Sequence, residues 1–354
     1  MDFTLQAMLA ILAGLVVSVA LFVPFVFISY RTHGHMSLRR GALWAAAAIY
    51  GWAIWTYTLL PLPDPGSYTC ARRNLNPLEF LDDLNGAWAR SAGQWRTFVT
   101  DFAVLQLALN VLLFMPLGFF TRVLWRRGVI EATFFGMALS TFVEFTQLTG
   151  VWGIYDCAYR VFDVDDILTN TTGALLGSLV ALLVPRRWTA GGDGSPAHLP
   201  RPVTRRRRLL AMLTDWMAFE IVSVGAAVAI QAWYVYINDS QGPQPRADQL
   251  AAAGTAALTA VIVLTTGRTL GDLAVQLEYR GGPLPTALRR LARLLAGVGG
   301  YGLLQLIPDA GPALAGLFAV IAVVVALATT AGSGLPGALT RAQLTDARQD
   351  GGGA

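Results

Sequence analysis

The sequence contains no lysine, only three histidines and two cysteines, and few charged residues of any kind. Charged residues make up 14% of the 354 positions and hydrophobic residues 55%, whereas soluble domains carry about 25% charged residues. This composition excludes an ordinary soluble domain and indicates a membrane protein. There is no HExxH motif, no Cys/His cluster and no Ser/His/Asp arrangement, so we expect no metal and no cofactor.

The basic residues, all arginine, lie in clusters between apolar runs. Membrane topology explains such clusters, and we therefore expect no nucleic-acid partner. A span needs about 20 apolar residues. The runs of that length are at 4–30, 41–62, 101–121, 129–149, 166–184, 209–237, 250–267, 288–307 and 310–331. They predict an all-α, polytopic transmembrane helical bundle of about nine spans. The first run has no basic start and is longer than a signal-peptide core, so we expect it to be retained.

Arginines concentrate in alternate loops, which orients the chain. We predict an N-terminus outside the cell membrane and a cytoplasmic C-terminus. This topology puts Cys70 and Cys157 in two outer loops, on the oxidising side, where a disulfide between them is expected. The alternative is that they are two unpaired small residues.

Polar side chains interrupt the third and fourth apolar runs. Gln106 and Asn110 are four residues apart and share one helix face. Ser140, Glu144 and Gln147 form a second stripe. A carboxylate at the depth of Glu144 needs a partner, a proton or a water-filled cavity.

The loop into the fifth run is also rich in polar residues. They are Arg160, Asp163, Asp165, Asp166 and Asn170. Gly173 and Gly177 follow at a spacing that allows a neighbouring helix to approach closely. Asp165 could be an ordinary helix-terminal residue, since acids are favoured there by the helix dipole.

These stripes predict an outward-opening polar pocket between three helices. We assign Glu144 and Asp163 as candidate catalytic residues, because a buried carboxyl group is a plausible general acid or base. The candidate ligand-binding residues are Gln106, Asn110, Gln147, Arg160, Asp166 and Asn170. The alternative is a purely structural network, in which Glu144 and Arg160 form a buried ion pair.

Three motifs in this region resemble the VanZ-like family of bacterial membrane proteins. They are the segment from Asn110 to Gly118, the pair Glu144-x-x-Gln147, and the series Arg160, Asp163, Asp166, Asn170 and Gly173. Asn76-Pro77 resembles a further family element, with Leu78 where phenylalanine is usual. The resemblance covers roughly residues 45–184. It implies a role in tolerance of glycopeptide antibiotics such as teicoplanin, with a lipid-linked cell-wall precursor or another envelope glycolipid as partner besides membrane lipids.

The second half resembles the RDD family, named for one Arg and two Asp. Arg208 and Asp215 match the first two positions, and the third cannot be placed, because Asp272 lies where a lysine is common. We predict a VanZ-like domain over 1–184, a basic cytoplasmic linker over 185–207, an RDD-like domain over 208–331 and a disordered tail over 332–354. Alternating residues between Val275 and Arg280 predict a short strand.

Three functions remain open. The first is an envelope protein that binds or modifies a lipid-linked component at the outer face and so lowers sensitivity to teicoplanin-type drugs. The second is an ion- or proton-coupled transporter that uses Glu144 and Asp215. The third is a non-catalytic scaffold. Whether the chain is an enzyme stays open, because no nucleophile is evident.

Overall fold

A computed structural model describes residues 3–60, 62–64, 68–185, 196–238, 246–329 and 332–349. The described chain is mostly helical, and seven of its helices are long and apolar enough to cross a membrane. They lie at Val16–His33, Phe102–Trp125, Val129–Leu148, Val164–Leu183, Arg205–Val235, Ala247–Thr266 and Gly311–Ala328. A multi-pass membrane protein is therefore confirmed, while the count of nine spans and the sides of the termini stay predictions.

The chain folds as two compact units. The first comprises residues 1–18 and 37–191, and the second comprises 19–36 and 192–354. The second half of the first helix thus belongs to the second unit, because Val26 and Tyr30 pack into its core with Val275 and Leu277. The sequence had placed this whole helix in the first domain.

The first unit contains eight helices in its described part. They are α1 (Phe3–His33, shared with the second unit), α2 (Leu38–Leu59), α3 (Phe80–Arg90), α4 (Trp95–Val99), α5 (Phe102–Trp125), α6 (Val129–Leu148), α7 (Gly150–Gly153) and α8 (Val164–Val180). A 3-10 turn, Ala181–Leu183, extends α8. The predicted run 41–62 is helical as α2, but its many Trp, Tyr and Thr residues leave it less apolar than the seven candidate spans.

Glycines bring α8 against α5, as the Gly173-x-x-x-Gly177 spacing predicts. A Cβ on Gly173 would lie 2.2 Å from the carbonyl oxygen of Val111, and one on Gly177 would lie 1.7 Å from that of Met115. Gly118 of α5 is equally close to the backbone of Ala174. Only glycine permits this approach, and it fixes the polar face of α8 next to α5.

Two loop segments of the first unit are joined to each other. Strand β1 (Arg73–Asn74) pairs in parallel with β2 (Phe162–Asp163). A disulfide joins Cys70 to Cys157, whose Cα atoms are 5.5 Å apart, so the predicted bond is confirmed. Together they hold residues 70–80 over the start of α8.

The second unit contains seven further helices in its described part. They are α9 (Arg205–Tyr236), α10 (Ala247–Thr266), α11 (Leu270–Ala274), α12 (Thr286–Leu295), α13 (Val298–Gln305), α14 (Gly311–Ala328) and α15 (Gly334–Thr340). Strand β3 (Leu277–Arg280) pairs antiparallel with β4 (Gln343–Asp346), which confirms the predicted strand near Val275–Arg280. Residues 186–195 of the predicted linker lie outside the described residues.

Two expectations for this unit were wrong. The run 288–307 is not one span but the two helices α12 and α13, since α12 carries three arginines and the chain breaks at Ala296 and Gly297. The tail from residue 332 is not disordered through Gln349: β4 pairs with β3, and Leu344 is buried in the core. The last residues, 350–354, lie outside the described part of the chain.

Candidate functional site

Glu144 lies near the end of α6 with only 2% of its surface exposed. Its Oε2 atom accepts a hydrogen bond of 3.0 Å from the backbone N–H of Asp163. Asp163 is the residue before α8, and its side chain accepts from the N–H of Asp165 at 2.9 Å. The capping geometry that starts α8 therefore also supplies a donor to the buried carboxylate.

The other polar residues of α8 meet the stripes on α5 and α6. Asp166 accepts a hydrogen bond of 2.6 Å from the amide nitrogen of Asn110. One turn further, the amide nitrogen of Asn170 donates to Ser140 Oγ at 2.9 Å. Asn170 Oδ1 is buried and has no hydrogen-bond partner among the described protein groups. The structure thus brings five of the predicted residues together, which we call the Glu144 cluster. They are Glu144, Asp163, Asp166, Asn110 and Asn170.

Two residues that sequence reasoning did not place at the site are Asp165 and Asn74. They bind segment 74–80 to the start of α8, and this segment forms the rim of the site. Both carboxylate oxygens of Asp165 accept backbone hydrogen bonds, from Leu78 at 2.7 Å and from Phe80 at 2.9 Å. Asn74 donates its amide to Asp163 Oδ1 at 3.1 Å. Asp165 is thus more than a helix-terminal acid, because it anchors the chain beyond Pro77. The Asn76-Pro77 motif was the available signal for this segment.

Three other candidates lie apart from these five residues. Gln147 donates to the carbonyl of Thr58 at 2.7 Å, and Arg160 donates to that of Leu60 at 2.8 Å. These carbonyls end α2, where helical partners are missing, so both side chains cap that helix. Gln106 is exposed and does not join the cluster.

The cluster is acidic and largely buried. No salt bridge joins Arg160 to Glu144 in the described part of the chain, so the ion pair of the structural alternative is not formed. Burying a carboxylate is costly unless hydrogen bonds compensate for its lost hydration, and here the Asp163 N–H provides one. Among the described residues, no three Asp, Glu, His or Cys side chains are arranged to hold a metal ion.

A second polar cluster lies in the second unit and includes the two predicted RDD residues. Asp272 forms salt bridges with Arg208 at 3.0 Å and with Arg293 at 2.6 Å. Asp215 accepts from Thr269 Oγ1 at 2.7 Å and lies 3.9 Å from Arg293. Arg208, Asp215 and Asp272 therefore share one buried network, and Arg293 completes it.

Asp272 is ionised in this network. Burial alone would raise the pKa of Asp272, but Arg293 and Arg208 outweigh it and hold that pKa below its usual range. The carboxylate also caps α11, because it accepts from the N–H of Thr269 while the Thr269 hydroxyl accepts from the N–H of Asp272. A lysine at this position would remove the two salt bridges and the acceptor for the Thr269 N–H, while its backbone N–H could still donate to the Thr269 hydroxyl.

Residues 47–185 match the family model described as VanZ/LLP1. The matched region includes every residue of the Glu144 cluster and both cysteines. No curated protein and no solved structure matches the chain. The match does not extend to the second unit, for which the RDD resemblance stays a prediction.

Proposed function

We propose that the chain is a bacterial envelope protein whose VanZ-like region binds or modifies a lipid-linked surface component at the outer face of the cell membrane. Binding or modification there lowers sensitivity to teicoplanin-type glycopeptides. The VanZ family is associated with teicoplanin resistance, and this chain matches its family model over 47–185.

The observation that carries the proposal is the hydrogen bond between the Asp163 N–H and the buried Glu144 carboxylate. Three helices converge there, and each contributes polar groups that lipid alone would not tolerate. The amide of Asn110 and the carboxylate of Asp166 adjoin it. Carboxylates and amides together accept from and donate to the hydroxyl and amide groups of a saccharide head group.

The disulfide supports an outer position for this cluster. Disulfides persist on the oxidising side of a bacterial membrane, and the Cys70–Cys157 bond joins the two segments above Glu144. Segment 74–80 is held to the start of α8 by Asp163 and Asp165. A ligand that enters from outside would meet this rim first.

The proposal is tested by growth on a teicoplanin-type glycopeptide. A strain that lacks the gene receives wild type, Glu144→Gln, Asp163→Asn or Asp215→Asn, with membrane abundance matched by immunoblot. We expect wild type and Asp215→Asn to restore tolerance, while Glu144→Gln and Asp163→Asn do not. Restoration by all variants would make the cluster a packing feature and favour a scaffold.

A second candidate, ion- or proton-coupled transport, is favoured by Asp215. This acid lies within α9, 6% exposed, and accepts from the Gly271 N–H at 2.6 Å. Acids within spanning helices commonly serve ion pathways. Transport requires that Asp215→Asn abolish gradient-dependent flux in proteoliposomes that contain the purified chain. The envelope proposal expects no such flux in wild type.

A further inference from the structure

A cavity of about 290 Å³ lies within the second unit. It is bounded by α9, by the break between α12 and α13, by α14 and by the start of α15. Ligand pockets begin at roughly this size, and cavities near 150 Å³ already admit benzene. The space suits one narrow apolar group rather than a whole two-chain lipid.

Most of the cavity wall is apolar. Met212 and Trp216 line it from α9, Phe318 and Val323 from α14, and Val298 from α13. All of these come from helices, and α9 and α14 are candidate spans. A hydrocarbon chain makes dispersion contacts with such a wall, which an empty cavity would lack.

One end of the cavity is cationic. Arg208 and Arg293 line it together with Asp215, and Arg208 is only 3% exposed. One guanidinium nitrogen of Arg208 bonds Asp272, but its Nε is buried without a hydrogen-bond partner among the described protein groups. An unsatisfied buried donor is costly, and more so when the group is charged.

The ionic network at this end leaves the Arg208 Nε–H without an acceptor. Arg208 and Arg293 face Asp215 and Asp272, so two arginines meet two aspartates, and neither carboxylate bonds Arg208 Nε. Both oxygens of Asp272 are already bound by Arg208 and Arg293. Arg208 is also in the first turn of a candidate span, the level at which lipid head groups lie.

We propose that this cavity binds an anionic amphiphile. A phosphate or carboxylate oxygen accepts from Arg208 Nε–H, and one acyl chain lies between α9 and α14, against Trp216 and Phe318. The ligand is an acidic membrane lipid or a free fatty acid, which share this chemistry. The site is separate from the Glu144 cluster and does not depend on its function.

In the test, native mass spectrometry of the purified full chain in detergent measures the dissociation constant of its complex with each probe. The probes are phosphatidylglycerol, oleate, phosphatidylcholine and inorganic phosphate. We expect phosphatidylglycerol or oleate to bind at least tenfold more tightly than phosphatidylcholine, and inorganic phosphate not to be retained. Which of the two binds more tightly identifies the source of the ligand. Equal binding of phosphatidylcholine, or retention of phosphate alone, would overturn the proposal.

Two variants make the test specific to the cavity. Ala319→Phe fills it from α14 without touching the ionic network, and Val320→Phe is its control, because Val320 is 60% exposed and does not line the cavity. We expect at least a tenfold loss of affinity in Ala319→Phe and none in Val320→Phe. Arg208→Lys keeps a cation opposite Asp272 but removes Nε–H, and should weaken binding at least fivefold. Wild-type affinity in Ala319→Phe would show that lipid binds elsewhere and overturn the proposal.

Discussion

The backbone N–H of Asp163 donates to the carboxylate of Glu144 at 3.0 Å. This contact joins the last turns of α6 to the residue before α8, and so couples the buried Glu144 to the loop that precedes α8. Asp163 in turn accepts from Asn74. The acid is thus held by a residue that also helps to fix segment 74–80 at the start of α8.

Asp165 should be required for the position of that segment. Asp165→Asn replaces one acceptor oxygen with an NH2 donor, which then faces the N–H of Leu78 or Phe80. Leaving such a group unpaired costs about 1–3 kcal/mol. We expect faster hydrogen–deuterium exchange across residues 74–80, measured by mass spectrometry. Asp82→Asn, an exposed acid on nearby α3, is the control, and equal exchange in both variants would contradict the anchoring role.

The disulfide should stabilise the first unit through the size of its loop. Cys70 and Cys157 are 87 residues apart, and closing a loop of that size is worth roughly 4 kcal/mol in the chain-entropy model. We expect the Cys70→Ser/Cys157→Ser variant to melt at a lower temperature than wild type. Reductant should lower the wild-type melting temperature to that of the variant and leave the variant unchanged. If reductant also lowers the melting temperature of the variant, loss of the disulfide is not the cause of the reductant effect.

Gly177 should tolerate no side chain. The Cβ of Gly177→Ala would lie 1.7 Å from the Met115 carbonyl oxygen, so α5 and α8 must separate, at a cost of about 1–3 kcal/mol. Gly51→Ala is the matched control, because nothing lies within 4 Å of that Cβ in α2. It should be neutral or stabilising by up to about 1 kcal/mol. The measurement is thermal unfolding in detergent, and equal melting temperatures would refute close α5–α8 packing.

The contacts that sequence reasoning found are those with a local pattern. The i, i+4 spacing of Ser140 and Glu144 and the small-residue spacing of Gly173 and Gly177 identify helix faces, so the meeting of α6 and α5 with α8 could be predicted. The same spacing of Gln106 and Asn110 was only half right, because Gln106 is exposed. The Cys70–Cys157 pair followed from which loops share a side of the membrane. Each of these inferences uses a residue spacing along a helix, or the alternation of loops between the two sides of the membrane, and both can be read from the sequence.

The remaining features depend on partners distant in sequence. Asn74 pairs with Asp163 through a two-residue strand, which is too short to show any period. The break at Gly297 follows from packing, since a Cβ there would lie 2.4 Å from a nitrogen of Arg293. Strand β4 pairs with β3, which lies far earlier in the chain. No local pattern distinguishes such residues from an ordinary loop.

Asp346 should make the second unit sensitive to acid. Its burial opposes ionisation, but hydrogen bonds from Arg348 and Arg207 hold the pKa of Asp346 well below its usual range. Because the folded pKa is the lower one, this carboxylate contributes stability that is complete above pH about 5 and is lost progressively as the pH falls further. Arg207 is itself buried, 5% exposed, and needs this partner.

Asp346→Asn should therefore destabilise the chain by about 3–5 kcal/mol near neutral pH, since it leaves a buried guanidinium without its counter-charge. The difference in melting temperature between wild type and variant should shrink between pH 5 and pH 3. Asp309→Asn, an exposed acid of the same unit, should match wild type throughout. A difference that grows as the pH falls would contradict the ionised state of Asp346.

The most direct test of the central claim measures how much drug reaches the cell surface. A fluorescent teicoplanin-type glycopeptide is added to intact cells of the deletion strain, which carry empty vector, wild type, Glu144→Gln or Glu131→Gln at equal membrane abundance. Glu131 is an exposed acid in the first turn of the same helix. If the Glu144 cluster acts on the outer surface, wild type and Glu131→Gln lower the bound drug, and Glu144→Gln matches empty vector. If Glu144→Gln lowers it as much as wild type does, the buried carboxylate is not the working group.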